Sequence, residues 1–258
     1  MHLVNIDGTG SFRKHSQDFN TLCQVFQCDT LNLTSMKKIL LAFLIIIAFT
    51  QTDWAQVPAS YKGIPFEDKF YKSGAQTIPG RIELAYYDKG GEGIAYHDTD
   101  AVNKGSGLLN RKPEHQRPGV PEYILYFREN EGVDISCTKD FLDFNHPNKV
   151  DPPVNQLFLA YEADGEWINF TIDVKVPGKY KIITIYGNQD NKSSLWLNNE
   201  KAVDLVLPEN TGNYHLWTQA TVGEITFPIG GLNLLTLKYN NGANLTYFDF
   251  SLIEESKK

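Results

Sequence analysis

The sequence has only three cysteines. Cys23 and Cys28 lie near the N-terminus, so Cys137 is the single cysteine in the chain beyond residue 55. One cysteine forms neither an internal disulfide nor a cysteine-rich metal site. We therefore expect Cys137 to be a small buried hydrophobic residue, and the folded domain to depend on its apolar core.

Clustered basic charge is also lacking. The chain carries 24 lysines and arginines against 31 aspartates and glutamates, and its net charge is -7. Phosphate backbones attract blocks of positive charge, and the sequence has none, so we expect no nucleic-acid partner. With 41% hydrophobic and 12% aromatic residues, the chain can bury a globular core.

The main hydrophobic run is too short to span a membrane, which takes about 20 residues. This run, Ile39–Thr50, follows Lys37 and Lys38, and polar residues separate it from Ala55. A basic start, a short apolar centre and a small residue at the cleavage point are typical of a secretory signal peptide. We predict one at residues 36–55, which implies a secreted, periplasmic or cell-surface protein without membrane attachment after cleavage.

The signal peptide divides the chain into segments. We expect translation to begin at Met36, with residues 1–35 as an over-extended leader. The alternative is a true N-terminal extension, in which the apolar run is a buried helix. Residues 56–77 are interpreted as a linker or a strap on the domain surface, and residues 78–258 as the folded domain.

From Ile78 onward the chain shows the patterns of short β-strands. In "RIELAYY", Ile82, Leu84 and Tyr86 occupy alternate positions, as in a half-buried strand. About ten such runs are separated by Gly, Pro, Asn and Asp, and no stretch keeps a helical period. The sequence therefore predicts an all-β protein, an antiparallel β-sandwich without helices, with a barrel as the alternative.

Two local features refine this prediction. The turn "VPGK" contains Pro177 and Gly178, which favour a tight reversal, so the strands on either side of it are predicted to form a hairpin. Residues 108–127 are rich in Pro, Arg and Glu and resemble a long loop inserted after the first strands. Long loops in compact domains are commonly functional.

Three carboxylates in "YEADGEW" suggest a catalytic interpretation. Glu162, Asp164 and Glu166 alternate along this segment, and a glycosidase needs two carboxyls around one bond. The same segment is also typical of a turn that enters a strand, where acids are solvated. The chain has no metalloprotease, nucleophile-elbow or phosphate-loop motif. We predict no enzymatic activity and no catalytic residue.

A metal interpretation rests on "YHDTD", which supplies His97, Asp98 and Asp100. Oxygen-rich loops suit calcium, but the spacing lacks the EF-hand pattern. We expect these residues to shape a loop, with the aspartates accepting hydrogen bonds from backbone amides.

Aromatic rings beside amides and carboxylates indicate a sugar site, because rings stack on sugar C–H faces and polar groups bind hydroxyls. Tyr161 next to Glu162, together with Tyr214 and Asn244, lies where strands meet loops. Taken singly, each of these residues also fits a place in the core or at its rim.

Five segments, in order along the chain, are similar to family 6 carbohydrate-binding modules. "IPGRIELAYYD" and "GGEGIAYHDT" resemble the family's I-P-G-x-I-E-A-E-x-Y-D and G-G-x-G-V-A-Y-H-D-T. "FRENEGVDI" resembles its R-x-x-x-x-V-D-I, "GEWINFTIDV" its G-E-W-L-x-Y-T-V-x-V, and "NLTYFDF" its N-L-D-W-F-x-F. The resemblance runs from Ile78 to Ile253.

The resemblance implies a jelly-roll, galactose-binding-like sandwich that binds polysaccharide or oligosaccharide in a cleft between loops, without cleaving it. Such modules cooperate with glycoside hydrolases. By matching motifs, Tyr161 is the first stacking ring and Asn244 is the amide. The second ring falls in "YHLW", where Tyr214 is favoured as the ligand and Trp217 as core, with the reverse order left open. Glu162 is a candidate acceptor on the rim.

The resemblance also implies a structural calcium site, which this chain keeps only in part. Glu83 matches one family ligand, but Ala85 and Thr246 stand where the family has carboxylates. The loss of two carboxylates from an oxygen cage weakens or abolishes calcium binding. We expect no other cofactor.

Together these observations favour a secreted, non-catalytic carbohydrate-binding module, with a glycan as its partner and a glycoside hydrolase acting on the same glycan. Two alternatives stay open. One is a degenerate sandwich that serves as a structural or protein-interaction domain, and the other is a small glycoside hydrolase.

Overall fold

The computed structural model describes residues 57–71, 74–139, 147–188, 193–239 and 242–256. The predicted leader and signal peptide lie outside these residues. Within them the chain forms two β-sheets and a few short helical turns, and no helix is long and apolar enough to cross a membrane.

The first sheet has six strands in the order β1-β6-β11-β8-β9, with β3 also paired to β6. The pairing of β1 with β6 is parallel, and the other pairings in this sheet are antiparallel. The strands are β1 (Gln76–Ile78), β3 (Tyr96–His97), β6 (Trp167–Val174), β8 (Ser193–Leu197), β9 (Glu200–Leu205) and β11 (Gly231–Tyr239).

The second sheet has seven strands in the order β2-β13-β7-β12-β5-β4, with β10 on the other edge of β7. All of its described pairings are antiparallel. The strands are β2 (Gly80–Glu83), β4 (Ile135–Cys137), β5 (Leu157–Leu159), β7 (Gly178–Asn188), β10 (Thr218–Phe227), β12 (Ala243–Leu245) and β13 (Tyr247–Glu255).

The main core lies between the two sheets. Side chains alternate across a strand, so β6 buries Ile168 and Phe170 on the inner face while β7 buries Tyr180 and Ile182 against them in the same cluster. Cys137 is 1% exposed within this core. The predicted all-β sandwich and the buried cysteine are confirmed.

The predicted hairpin around "VPGK" is wrong. The strand before the turn, β6, belongs to the first sheet, and the strand after it, β7, belongs to the second. Val174 pairs with Gly231, whereas Gly178 pairs with Phe227. Pro177 favours a reversal of the chain, but a local turn signal does not specify which sheet the next strand joins.

The prediction of one strand through "RIELAYY" is also wrong. β2 ends at Glu83, and Leu84–Tyr86 form a 3-10 turn. Leu84 N–H donates to Thr246 O at 3.3 Å, at the residue that separates β12 from β13. Because the partner strand is interrupted there, the ladder cannot continue and the chain turns inward, which buries Leu84 and Ala85.

The expectation of a helix-free chain fails between β3 and β4. This region holds a π-helical turn, two 3-10 turns and one α-helix: Lys104–Leu108, Leu109–Arg111, Pro113–His115 and α1 (Glu122–Leu125). Single turns need no helical period, since local caps suffice: Asn103 Oδ1 accepts from Ser106 N–H at 2.9 Å. Segment 108–127 is also not a simple surface loop, because Ile124, Leu125 and Phe127 enter the core.

The described part of segment 56–77 packs on the domain. The Tyr61 hydroxyl donates to Asp88 Oδ2 at 2.7 Å, and Phe66 is 6% exposed within the core. Asp88 also accepts from Thr171 N–H at 2.9 Å and from its hydroxyl at 2.6 Å. β1 begins at Gln76, so the sheet starts before residue 78.

Candidate functional site

A cleft of about 350 Å³ opens at one edge of the second sheet. Its floor is formed on β4 and β5, where Ser136 and Phe158 line it. Most of the remaining lining comes from residues 160–162 after β5, residues 213–215 before β10, and Gly242 and Asn244 at the start of β12. Cys137, Lys139 and Leu109 complete it. Residues that are far apart in sequence therefore meet in one cavity.

Two tyrosines give this cleft exposed aromatic surface. Tyr161 is 53% exposed and Tyr214 is 38% exposed. Tyr161 has a positive φ of 53°, a conformation that is uncommon outside glycine and that concentrates at functional sites. The ammonium of Lys104 lies 6.0 Å from the centroid of the Tyr161 ring. Both predicted stacking residues therefore line the same cavity.

Asn244 holds the Tyr214 loop through a hydrogen bond to its backbone. Its side chain is largely buried, and Nδ2 donates to the carbonyl oxygen of Tyr214 at 2.9 Å. Asn244 pairs across the sheet with Gly187 on β7. A Cβ atom on Gly187 would lie 2.4 Å from the Tyr214 carbonyl oxygen, so the loop reaches this position only because residue 187 has no side chain.

We predict that Gly187→Ala moves the Tyr214 loop and weakens binding in the cleft about tenfold or more, because the contact is with backbone atoms that cannot rotate away. Isothermal titration with a cleft ligand measures the change. Gly223→Ala is the matched control, since its Cβ would meet the Val203 side chain at 3.2 Å, away from the cleft. Equal affinity of Gly187→Ala and the wild type would contradict the prediction.

Glu162 lines the cleft, but as a largely buried residue rather than as the exposed rim acceptor that the sequence predicted. It is 8% exposed, and Oε2 accepts from Ala243 N–H at 3.4 Å. Oε1 is buried without a hydrogen-bond partner among the described residues. Burial raises the pKa of its carboxyl well above the usual range, the Ala243 bond lowers it, and the neighbouring Glu166 carboxyl raises it further.

Trp217 is a core residue, which confirms the favoured assignment of "YHLW", and it is not among the residues that line the cleft, where it was kept as the alternative ligand. It is fully buried on the outer face of the second sheet, in a cluster with Phe158, Ile185 and Tyr247. Its ring meets the Phe158 ring edge-on at 5.3 Å. In "YHLW" the first ring is the exposed one, because Trp217 lies next to β10 and packs behind the floor.

A scan with protein-family models and a search of curated proteins find no match. Among solved structures, a family 6 carbohydrate-binding module from Clostridium stercorarium in complex with cellobiose is 11% identical, with a TM-score of 0.39, over 70% of this chain and 100% of the module.

Two further structures are similar. A β-1,3-glucan-binding family 6 module from Bacillus halodurans is 12% identical, with a TM-score of 0.39, over 68% of this chain and 98% of the module. A glycoside hydrolase family 43 arabinoxylan arabinofuranohydrolase from Bacillus subtilis, in complex with cellotetraose, is 11% identical, with a TM-score of 0.42. That similarity covers 75% of this chain and 33% of the enzyme chain.

The atoms around Glu83 do not form the set of oxygen ligands that a calcium ion needs. Gln156 Nε2 donates to Glu83 Oε2 at 2.8 Å, so an amide hydrogen faces the oxygen that a cation would need. Ala85 has no side-chain oxygen that could coordinate a cation. The Thr246 hydroxyl donates a hydrogen bond to Ile185 O at 2.9 Å. Burial raises the pKa of Glu83, and the Gln156 bond opposes that shift.

We predict that millimolar calcium shifts the melting temperature by less than about 1 °C, because a calcium ion needs several oxygen ligands that this corner does not supply. Differential scanning calorimetry with calcium and with a chelator tests this. Magnesium at the same concentration controls for ionic strength. A stabilisation by several degrees that is specific to calcium would refute the prediction.

The loop residues of the metal interpretation bond to their own loop. Asp98 Oδ1 accepts from Asp100 N–H at 3.0 Å, Asp100 pairs with Lys104 at 2.6 Å, and His97 Nδ1 lies 2.5 Å from Glu92 Oε1. The expected loop-shaping role is confirmed. Among the described residues, no group of His, Cys, Asp and Glu is arranged to hold a metal ion.

Sequence reasoning missed several residues of the cleft. Lys139 is 1% exposed and donates to Asn110 Oδ1 at 2.6 Å, and the Ser136 hydroxyl donates to the same oxygen at 3.2 Å. His215 also lines the cavity. One signal was available, since "LFLA" is apolar on both faces of a strand, which indicates that the outer face around Phe158 is covered as well.

Proposed function

We propose that this protein binds a polysaccharide or oligosaccharide in the cleft and does not cleave it. The observation that carries the proposal is the meeting of two exposed rings, Tyr161 and Tyr214, with the amide of Asn244 in one cavity. A volume of about 350 Å³ is at the lower end of small-ligand sites and suits a few sugar units at most.

Each group has a chemical task in this proposal. The rings stack on the C–H faces of a sugar, at about 0.5 to 1.5 kcal/mol each beyond area burial. Asn244 uses Nδ2 to hold the Tyr214 carbonyl, which leaves its Oδ1 to accept from a sugar hydroxyl. Direct hydrogen bonds replace bonds to water, so each adds about 1 kcal/mol. The sum is consistent with modest affinity.

The carboxylates of "YEADGEW" support binding without hydrolysis. Both carboxylate oxygens of Glu166 are hydrogen-bonded, since Oε1 accepts from the Thr99 N–H and hydroxyl at 3.1 and 2.7 Å, and Oε2 accepts from the Ala163 N–H at 2.7 Å. Glu162 is buried, and Asp164 is exposed in a turn. These acids are not arranged as a pair that flanks one glycosidic bond.

The predicted signal peptide indicates where the protein acts. The signal-peptide pattern at residues 36–55 favours export, and the absence of catalytic motifs favours a role beside a separate enzyme. We therefore propose a secreted module that holds a glycan for a glycoside hydrolase acting on the same material.

A glycan array with the wild type, Tyr161→Ala and Asn244→Ala tests the function. We expect the wild type to bind a defined set of glycans and both variants to lose most of the signal. Tyr123→Ala is the control, because Tyr123 is 40% exposed and stacks on Phe70 at 3.9 Å, outside the cleft. No binding by the wild type would favour a structural or protein-interaction domain, and release of reducing sugar would favour a hydrolase.

A further inference from the structure

A chain of bonds joins the two tyrosine loops behind the cleft. Glu162 directly follows Tyr161 and accepts from Ala243 N–H at 3.4 Å. The next residue, Asn244, donates to the Tyr214 carbonyl oxygen at 2.9 Å. The loop that carries Tyr161 is therefore connected through the start of β12 to the loop that carries Tyr214.

The Glu162 link is built around a buried acid. Glu162 is 8% exposed, and both its Oε1 and the hydroxyl of Tyr239 are buried without hydrogen-bond partners among the described residues. Burial raises the pKa of Tyr239 well above its usual range, and the Glu162 carboxyl raises it further, so the two groups are electrostatic neighbours. The other neighbour that acts on Glu162 is Glu166, a second acid. Burying a negative charge in these surroundings is costly.

Titratable groups approach this site from several elements, and the described ones are Asp164 and Glu166 before β6, Tyr239 on β11, Tyr214 and His215 before β10, and Lys139 after β4. Lys104 lies 6.0 Å from the Tyr161 ring centroid, pairs with Asp100 and Asp134, and also interacts with Asp98. Burial raises the pKa of Asp98 to about 6 and that of Asp134 to about 7. These two acids titrate near neutral pH, so a test must separate their contribution from that of Glu162.

We propose that Glu162 is a positioning residue that sets the spacing of the two tyrosine loops only while its carboxyl is neutral, so that its ionisation opens the cleft and releases the glycan. In the neutral state the side chain stays beneath Tyr161 and accepts from Ala243. When the proton leaves to solvent, the carboxylate moves toward water and the Tyr161 loop moves with it. This inference rests on the proposed function and adds a regulation to it.

The pKa of Glu162 is raised in the folded protein, so the folded state retains a proton that the unfolded chain loses near about pH 4.3. As the pH rises through the window above that value, the arrangement with buried neutral Glu162 loses stability relative to open and unfolded states. Glycan binding that needs this arrangement therefore also weakens as the pH rises.

The test is a titration of the wild type, Glu162→Gln and Glu162→Leu with an array-selected glycan from about pH 5 to about pH 9. We expect wild-type affinity to fall about tenfold or more. The glutamine variant stays neutral and still accepts from Ala243, so its affinity is expected to change by less than about threefold. The leucine variant has no acceptor and binds weakly at every pH. Asp98 and Asp134 are present in all three proteins, so differences between the profiles isolate Glu162.

Hydrogen exchange of the Ala243 amide supplies a readout without glycan. Compared at the same pH, we expect the wild type near about pH 9 to exchange about tenfold faster than Glu162→Gln, and equally fast near about pH 5. Superimposable wild-type and glutamine profiles in both measurements would overturn the inference and leave the proposed function standing. If the wild type binds no glycan at any pH, the proposed function fails, and the exchange comparison still decides whether ionisation of Glu162 loosens β12.

Discussion

Replacing Tyr161 and Tyr214 together with alanine is expected to weaken glycan binding about 100-fold, which makes it undetectable in ordinary titrations of a modest binder. Stacking contributes up to about 1.5 kcal/mol per ring in addition to area burial, and about 1.4 kcal/mol corresponds to a factor of ten in affinity. The two side chains are exposed, so the free energy of unfolding should change by less than about 1 kcal/mol. Calorimetric titration and urea unfolding measure the two quantities.

The double phenylalanine variant is the matched control for the tyrosine pair. It keeps both rings and removes only the hydroxyls, so we expect it to retain affinity within about fivefold of the wild type. A phenylalanine variant as weak as the alanine variant would assign the binding energy to the hydroxyls. An alanine variant that still binds would place the glycan site elsewhere on the protein.

Arg128→Ala is expected to lower the free energy of unfolding by about 3 kcal/mol. The Arg128 side chain is 4% exposed and lies over the Tyr87 ring at 3.4 Å and the Phe66 ring at 4.9 Å. It donates to Asp88 O at 2.9 Å and to both oxygens of Glu131 at 2.9 and 2.8 Å. Truncation leaves these acceptors unsatisfied and removes the cation that packs between the rings.

Urea unfolding measures this loss, and the expected fall in melting temperature is roughly 6 to 12 °C for a domain of this size. Arg128→Lys is expected to be intermediate, because an ammonium cannot make the forked contact with Glu131. Arg111→Ala is the exposed control, since that side chain is 53% exposed and pairs with Glu129 at the surface, where an ion pair contributes less than about 1 kcal/mol. A change in Arg128→Ala no larger than in this control would disprove the argument.

The long strands were readable from sequence because their alternation reflects burial on the inner face. β6 and β7 lie where strands were predicted on either side of "VPGK", since their inner-face residues, such as Ile168 and Phe170 or Tyr180 and Ile182, alternate with the period of a strand. The short elements could not be predicted from the sequence. The turn at Leu84–Tyr86 depends on the interruption at Thr246, a residue more than half the chain away, and no local pattern reports such a contact.

The residues of the cleft were also predictable only in part. Tyr161, Tyr214 and Asn244 were identified from motifs, and they do line one cavity. Their support was not predictable, because Gly187 and Lys139 enter the site through strand pairing and side-chain packing.

The sequence by itself determined the class of the fold, the burial of Cys137 and the residue types at the cleft. Periodicity and composition are local properties that indicate which side chains are buried and which are exposed to solvent. Only the tertiary structure decided that β6 and β7 lie in different sheets, that Trp217 packs against Phe158 and that Glu162 is an interior acid linked to Ala243. Those outcomes depend on which distant residues come into contact, and long-range packing fixes them after the local preferences are satisfied.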